Sequence, residues 1–585
     1  MSVNQLRKWR IMPLLVVTGL GLFSVTSAQA AAEDVPLVEM VKAGNAAAVR
    51  TLIEQQIDVN TPEVDGTTAL HWAAHGDHLE VADLLIGAGA NVGAENRYAV
   101  TPLSLACING SVAMVERLLE AGADPNTASP EGQTALMTAA RTGNIDVVTT
   151  LLDSGATVDA KESYREQTAL MWAAAQGHPA TVQALIDAGA DIHARSKGDA
   201  NSVRASVRRG LSQFALNAGV DPERGLAEPE AVAPVGFSPL LFATRAGQID
   251  AAKVLLEAGA NVNDMVGDGA SALVVAVINA HYELANVLLE HGADPNADAQ
   301  GWTALHQLVW TRKPNLLRPV PFPLVTGKLS DLDLVTQLVT HGADPNTRQK
   351  GEPRDGNRNV LNRIGATPFL LAAKAADADM MRRLVENGAD PQLTTIDGVT
   401  PLMAAAGVGI WRIGENVGTN EEALEAVTLA YELGNDANAA DVNNDTALHG
   451  AVHRGADDIV RFLMDKGADP DVANSFGWTP LTIAEGVWYP NTYKSEPETG
   501  VVLRQLGATN PGARRPEDFP PTEIAAPIEG GAAGGGRYLQ LRQGNASPGT
   551  VGNQQLERQI QQQGQEERQE QGRPQESGQS TAPQR

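Results

Sequence analysis

A recurrence close to every 33 residues runs through this 585-residue chain and limits the folds open to it. A short element opens on Thr or Ser, continues with Pro or Ala, and then places Leu or, once, Phe. It starts at Thr68, Thr101, Thr134 and Thr168, at Ser238, Ser271 and Thr303, at Thr367 and Thr400, and at Thr446 and Thr479. Neighbouring starts within each group lie 32 to 34 residues apart, and Val35-Pro36-Leu37 sits 33 residues before Thr68. Twelve units result. A segment this short cannot bury its own apolar faces, so each unit must pack on the next, and length comes from adding layers.

The unit starting at Thr101 shows the local logic. Thr101 suits a helix N-cap and Pro102 the first helical turn. Gly110 breaks this helix. A second apolar-periodic helix carries Leu118 and Leu119, and Gly122 stops it. Ala123-Asp124-Pro125-Asn126 then reads as a turn projecting toward the next unit. Across units, small residues recur at the fifth and sixth places after the opening residue: Ala73 and Ala74, Ala139 and Ala140, Ala173 and Ala174. Pairs of Leu type recur further on: Leu85 and Ile86, Leu151 and Leu152, Leu288 and Leu289. Alanine permits close helix approach, and the Leu pairs fill the space between layers.

The elements Thr68-Ala69-Leu70-His71, Thr446-Ala447-Leu448-His449, Gly292-Ala293-Asp294-Pro295-Asn296 and Gly342-Ala343-Asp344-Pro345-Asn346 resemble the ankyrin repeat family, over about residues 35–510. The resemblance implies a helix-dominated repeat solenoid of about twelve repeats. Each would be an L-shaped helix–turn–helix with a β-hairpin finger, stacked in a curve. It further implies binding of other proteins and no intrinsic catalysis.

Breaks in the period mark insertions, near 196–235, 312–330, 348–362, 408–420 and 486–497. The first and third fall in fingers; the first holds Arg204, Arg208, Arg209, Leu211, Phe214 and Leu216 and suits an amphipathic helix. The other three share one place, the turn between the two helices of units eight, ten and twelve, which predicts loops ~20 Å apart along one edge. They gather Trp310, Phe322, Trp411, Trp488, Tyr489 and Tyr493 with Arg312, Lys313, Arg318, Arg412 and Lys494. Trp9 lies near the amino terminus, Trp72 and Trp172 share a core-like helix position, and Trp302 and Trp478 share a finger position. Aromatic residues and Arg are the types enriched in interface anchors. Two readings stand open: a composite aromatic and basic binding surface, or loops that fold back on their own repeats. The partner-binding candidates are therefore Trp302, Trp310, Phe322, Trp411, Trp478, Trp488, Tyr489 and Tyr493, with Asn60 and Tyr98 as further finger residues.

Charge narrows the partners. The chain has 44 basic and 70 acidic residues, a net of −26, and is repelled by phosphate backbones and anionic lipid. A protein partner is expected, and nucleic acid is not. Arg7, Lys8 and Arg10, the apolar stretch from Ile11 to about Val25, and Ala28-Gln29-Ala30 read as a cleavable export signal over residues 1–30. The apolar stretch is shorter than the ~20 residues a spanning helix needs, so no membrane span is expected in the mature chain. A periplasmic or secreted location follows. The Gly-, Pro- and Gln-rich stretch 511–585, with Gly534-Gly535-Gly536 and Gln561-Gln562-Gln563, reads as a disordered tail.

Catalytic and metal chemistry find little support. All eleven histidines fall at template positions. His71, His75 and His78 have a spacing able to hold a metal, but repetition of these positions along the chain favours scaffold roles. In the family that Thr68-Ala69-Leu70-His71 resembles, this His is structural. Cys107 takes the slot of Ala74 and Ala140 and reads as a buried thiol. The chain contains no phosphate-binding Gly loop, calcium loop or nucleophile elbow. The expectation is a non-catalytic binding scaffold without cofactor or metal. A glycan- or ligand-binding role for the aromatic loops, and an enzyme site built by the insertions, are the alternatives.

Overall fold

The computed structural model of the chain describes residues 35–198, 236–313, 325–351, 361–410, 418–489 and 492–509. The expected export signal, the tail, and most of the insertions near 196–235, 312–330, 348–362 and 408–420 lie outside the described residues. Among the described residues are twelve helix pairs, the first Val35–Lys42 with Ala46–Glu54 and the last Pro480–Glu485 with Pro497–Gln505. The residues form two compact units. Repeats one to eight, up to Asp344, belong to the first, and repeats nine to twelve, from Pro345, belong to the second. Each unit is a stack of repeats in which a first helix packs on the first helices of its neighbours, as Ala169–Gln176 does between Ala135–Thr142 and Pro239–Ala246.

The sequence explains each element locally. The Thr134 hydroxyl accepts from the Met137 amide at 3.3 Å, and Thr101 from Ser104 at 3.1 Å, so orphan donors at the helix start are satisfied. Gly143 ends its helix in the left-handed region at φ 78°. A Cβ there would lie 2.4 Å from the His178 ring of the next repeat, so the close approach as well as the φ value calls for glycine. The small slots are fully buried, among them Ala73, Ala74, Cys107, Ala139, Ala140, Ala173 and Ala174. Leu85, Leu151 and Leu288 are likewise buried. The core is therefore a thin seam between successive layers.

Fingers are simpler than the expected β-hairpins. Among the described residues, three carry a single antiparallel bridge, such as Ala128 with Thr134. Asp and Asn side chains that bond their own turn supply the rest; Asp124 accepts from the Asn126 amide at 2.8 Å. Backbone bonds then join finger to finger: Arg97 N to Asp65 O at 2.9 Å, and Ser163 N to Glu131 O at 2.7 Å. The last residue of the Gly-Ala-Asp-Pro-Asn element adds a second link. Asn126 Nδ2 donates to Gly155 O at 3.1 Å, and its Oδ1 accepts from the Thr157 amide at 2.8 Å. Asn296 in the first unit and Asn346 and Asn438 in the second repeat this double contact. Asn60, expected as an interface residue, makes the same bridge to Gly89 and Asn91, so its amide is committed to holding repeats together.

Candidate binding surface

In several first helices of the first unit, side chains at the fourth or seventh place reach the surface. Trp72 and Trp172, expected as core-like, are only partly buried there. Lys42 Nζ stands 4.4 Å from the Trp72 ring centroid, and the Arg141 guanidinium 6.0 Å from that of Trp172. Trp72 Nε1 donates to Glu63 at 2.6 Å, whereas Trp172 Nε1 has no acceptor among the described residues. Arg245 lies over Phe237 at 4.8 Å and Phe242 at 5.1 Å. Contact with these rings removes water from its guanidinium and, with Arg165 near, lowers its pKa. At the finger tips Val64 is fully exposed, Tyr98 62% exposed and Tyr164 76% exposed. Neither Arg141, Arg245 nor Tyr164 was singled out from the sequence. Their recurrence at fixed offsets from the opening residue is the signal that would have found them.

The sequence-derived candidates are placed as follows. Trp302 and Trp310, in the first unit, pack edge to face at 5.6 Å, and Trp302 Nε1 donates to Gln307 at 3.2 Å. Trp478, in the second unit, is buried and stacked on Phe476 at 4.9 Å. Trp488, Tyr489 and Tyr493 lie on a hairpin whose strands are Val487–Tyr489 and Thr492–Lys494, with Trp488 opposite Tyr493. Phe322 and Trp411 lie outside the described residues.

The bases of two insertions in the second unit meet directly, although loops on alternate repeats are expected ~20 Å apart. Lys494, buried at the end of the hairpin, donates from Nζ to Ile410 O at 2.9 Å and lies 3.3 Å from His453 Nδ1. Between them runs the helix Ala447–Arg454. Its fourth place, held by Trp72 and Trp172 in other repeats, is Gly450. A Cβ on Gly450 would lie 2.5 Å from Val408 N. The chain leaving the first helix of repeat ten, Pro401–Ala406, therefore occupies the room that a side chain takes elsewhere. The same covering buries His453, while His75 at the equivalent place is exposed.

The histidines serve the stack. His71 Nδ1 accepts from the Thr68 amide at 3.1 Å, and its Nε2 lies 2.9 Å from Val100 O, which fixes the proton on Nε2. His449 does the same between Thr446 and Trp478 O. His178 and His281 cap the preceding repeat's first helix through Arg141 O and Arg245 O. Both nitrogens of His71 are thereby used, and no group of three or more metal-ligating side chains gathers among the described residues. Burial pushes the Cys107 thiol up to about 12, which keeps it unreactive at neutral pH.

The family model for ankyrin repeats in three copies matches residues 37–129, 103–196, 240–318 and 417–487, and that for a single ankyrin repeat matches 364–396. The chain belongs to the ankyrin repeat family. It is similar to human Ankyrin repeat and SOCS box protein 16, with 32% identity over 249 residues, 42% of this chain and 47% of that protein. It is similar to E3 ubiquitin-protein ligase KEG of Arabidopsis thaliana, with 27% identity over 278 residues, 45% of this chain and 16% of that protein. The crystal structure of the human ASB11 ankyrin repeat domain matches 44% of this chain and 99% of its own at 24% identity, with a TM-score of 0.35. The chain spans less than half the length of these two curated relatives. Ankyrin repeats generally mediate protein–protein interaction and are typically non-catalytic scaffolds; the ligase activity in the name of KEG is that protein's. No helix among the described residues is long and apolar enough to cross a membrane.

Two outcomes test the ankyrin-repeat junction at repeats ten to twelve. Replacing a helical glycine by alanine ordinarily gains about 1 kcal/mol. Gly450→Ala is expected instead to lose about 2 kcal/mol in urea denaturation, through backbone overlap with Val408. The second concerns pH. Burial pushes His449 down to about 4 and His453 well below its ordinary 6.5, so acid favours the unfolded chain, which binds these protons more readily. Burial pushes Asp441 and Asp445 up to about 6, so protonation there favours the folded chain. The two effects oppose each other between pH 7 and 5. Asp445→Asn removes one carboxyl that offsets the histidines. The stability lost on going from pH 7 to 5 should then grow by on the order of 1 kcal/mol, read from urea midpoints at both pH values.

Proposed function

We propose that this chain is a non-catalytic protein-binding array that works outside the cytoplasm. The observation that supports this most is the exposure of Val64, Tyr98 and Tyr164 on fingers whose backbones are already pinned to their neighbours. Arg97 and Arg165 lie 5.4 and 5.5 Å from the rings of Tyr98 and Tyr164. Tyrosine and arginine are frequent interface anchors, and a fixed scaffold loses little ordering entropy when it binds. The export signal read in residues 1–30 supplies the location. In this reading the aromatic residues of the insertions, Trp411, Trp488, Tyr489 and Tyr493, supply a second contact region.

The test is affinity capture from the extracytoplasmic fraction of the cells that make the protein. Wild-type chain is compared with the Tyr98→Asp/Tyr164→Asp variant. Both side chains are exposed, so the thermal midpoint should stay within about 1 °C, because surface substitutions of this kind change stability little. Specific capture should fall by about tenfold, the effect of ~1.4 kcal/mol of lost anchor contact. Equal capture by the two chains would contradict the reading.

A further inference from the structure

The seventh place after the opening Thr or Ser distinguishes the two units. In the first unit it is exposed at His75, Ile108, Arg141, Arg245 and Ile278, and half-buried at Ala175 and Trp310. Ile108 is 53% exposed. In the second unit it is half-buried at Lys374 of repeat nine and buried in repeats ten to twelve, at Gly407, His453 and Gly486.

Three insertions of the second unit meet over the first helix of repeat eleven. The segment leaving Pro401–Ala406 lies directly on Ala447–Arg454: a Cβ on Gly407 would stand 2.6 Å from Gly450 O, and one on Gly450 2.5 Å from Val408 N. Val408 itself is buried. Leu361, buried at the end of the insertion near 348–362, presses on the same segment, since a Cβ on Gly409 would stand 2.5 Å from Leu361 Cβ. The hairpin of repeat twelve adds Lys494, which pairs with Val487 and is buried with it. Lys494 Nζ donates to Ile410 O at 2.9 Å and lies 3.3 Å from His453 Nδ1. A buried ammonium must have acceptors, and these two bind it to the covering segment and to the covered helix at once. Asp445 lies near enough for its charge to interact with that of Lys494.

We propose that the first helix of repeat eleven is sealed by the chain's own insertions, with Lys494 as the latch, so that a partner meeting the second unit touches the insertions in place of this helix. The proposal rests on the protein-binding reading above and narrows where its contacts fall. Stacked repeats ordinarily offer such helices to a partner. Here the place is taken by an intramolecular ligand. A tethered segment has an effective concentration of ~1 mM, so a partner at ~1 µM would have to bind the helix about a thousandfold more tightly than the insertions do to displace them.

The test is thiol labelling of the full chain by N-ethylmaleimide under native conditions. Cys107, the one cysteine, is first replaced by alanine, the residue at its slot in repeats two and four. Val408→Cys then reports the covering segment, and Ile108→Cys the open seventh place of repeat three. Each rate is divided by that of the same variant unfolded in urea. Val408→Cys should label at least about 100-fold more slowly than Ile108→Cys, because the thiol reacts only when the segment lifts. Adding Lys494→Ala should speed Val408→Cys at least about tenfold and leave Ile108→Cys unmoved. Lys494→Met, which keeps the stem and loses the donor, should give a smaller gain at unchanged helix content by circular dichroism. Labelling of Val408→Cys as fast as that of Ile108→Cys would overturn the seal. Protection unmoved by both Lys494 variants would overturn the latch. The rates require no partner. Slow labelling in a chain whose capture is unmoved by Tyr98→Asp/Tyr164→Asp therefore keeps the seal and contradicts the broader reading. Fast labelling in a chain that loses capture with that variant contradicts only this inference.

Discussion

Nearest-neighbour burial governs everything else in this protein. A layer of two helices, each six to thirteen residues long, has no interior of its own. Its Ala pairs and leading Leu residues lose contact with water only when the next layer arrives. The polar links obey the same rule. Asn126 reaches the following finger, His71 the backbone at Val100, and His178 the end of the preceding first helix. No single region holds the stack together. The surface is free to vary at any position not used by these links.

That freedom makes deviation from the repeat pattern informative. The fourth place of the first helix holds tryptophan in repeats two and five and glycine in repeat eleven. In repeat two the ring pairs with Lys42 and Glu63, in repeat five its Nε1 has no acceptor among the described residues, and in repeat eleven the backbone of an insertion takes its room. One position thus does three jobs. The seventh place behaves likewise: His75 is exposed, Arg141 stands over a ring, and His453 is buried beside Lys494.

The fold was largely legible in the sequence because its causes are local. Thr and Ser caps, left-handed glycines and buried alanines act within a few residues, and twelve copies average out irregularity. The structural role of His71 and His449 was legible for the same reason. The surface was harder to read. Trp172 looked like core because its neighbours in sequence are buried, yet its exposure depends on Arg141 from another repeat. Asn60 looked like a free finger residue, yet its amide is satisfied 29 and 31 residues away. The junction of Lys494 with Ile410 joins residues 84 apart, a separation that periodicity alone does not encode.

Native-state hydrogen exchange on the Ala140→Glu variant tests nearest-neighbour cohesion most directly. This substitution places a charge in a fully buried small-residue slot of repeat four. Protection should fall most in repeats three to five and recover progressively with distance along the first unit. The helices of repeats eleven and twelve should keep wild-type protection. A uniform loss across all twelve repeats, or a loss confined to repeat four alone, would contradict cohesion carried from each layer to the next.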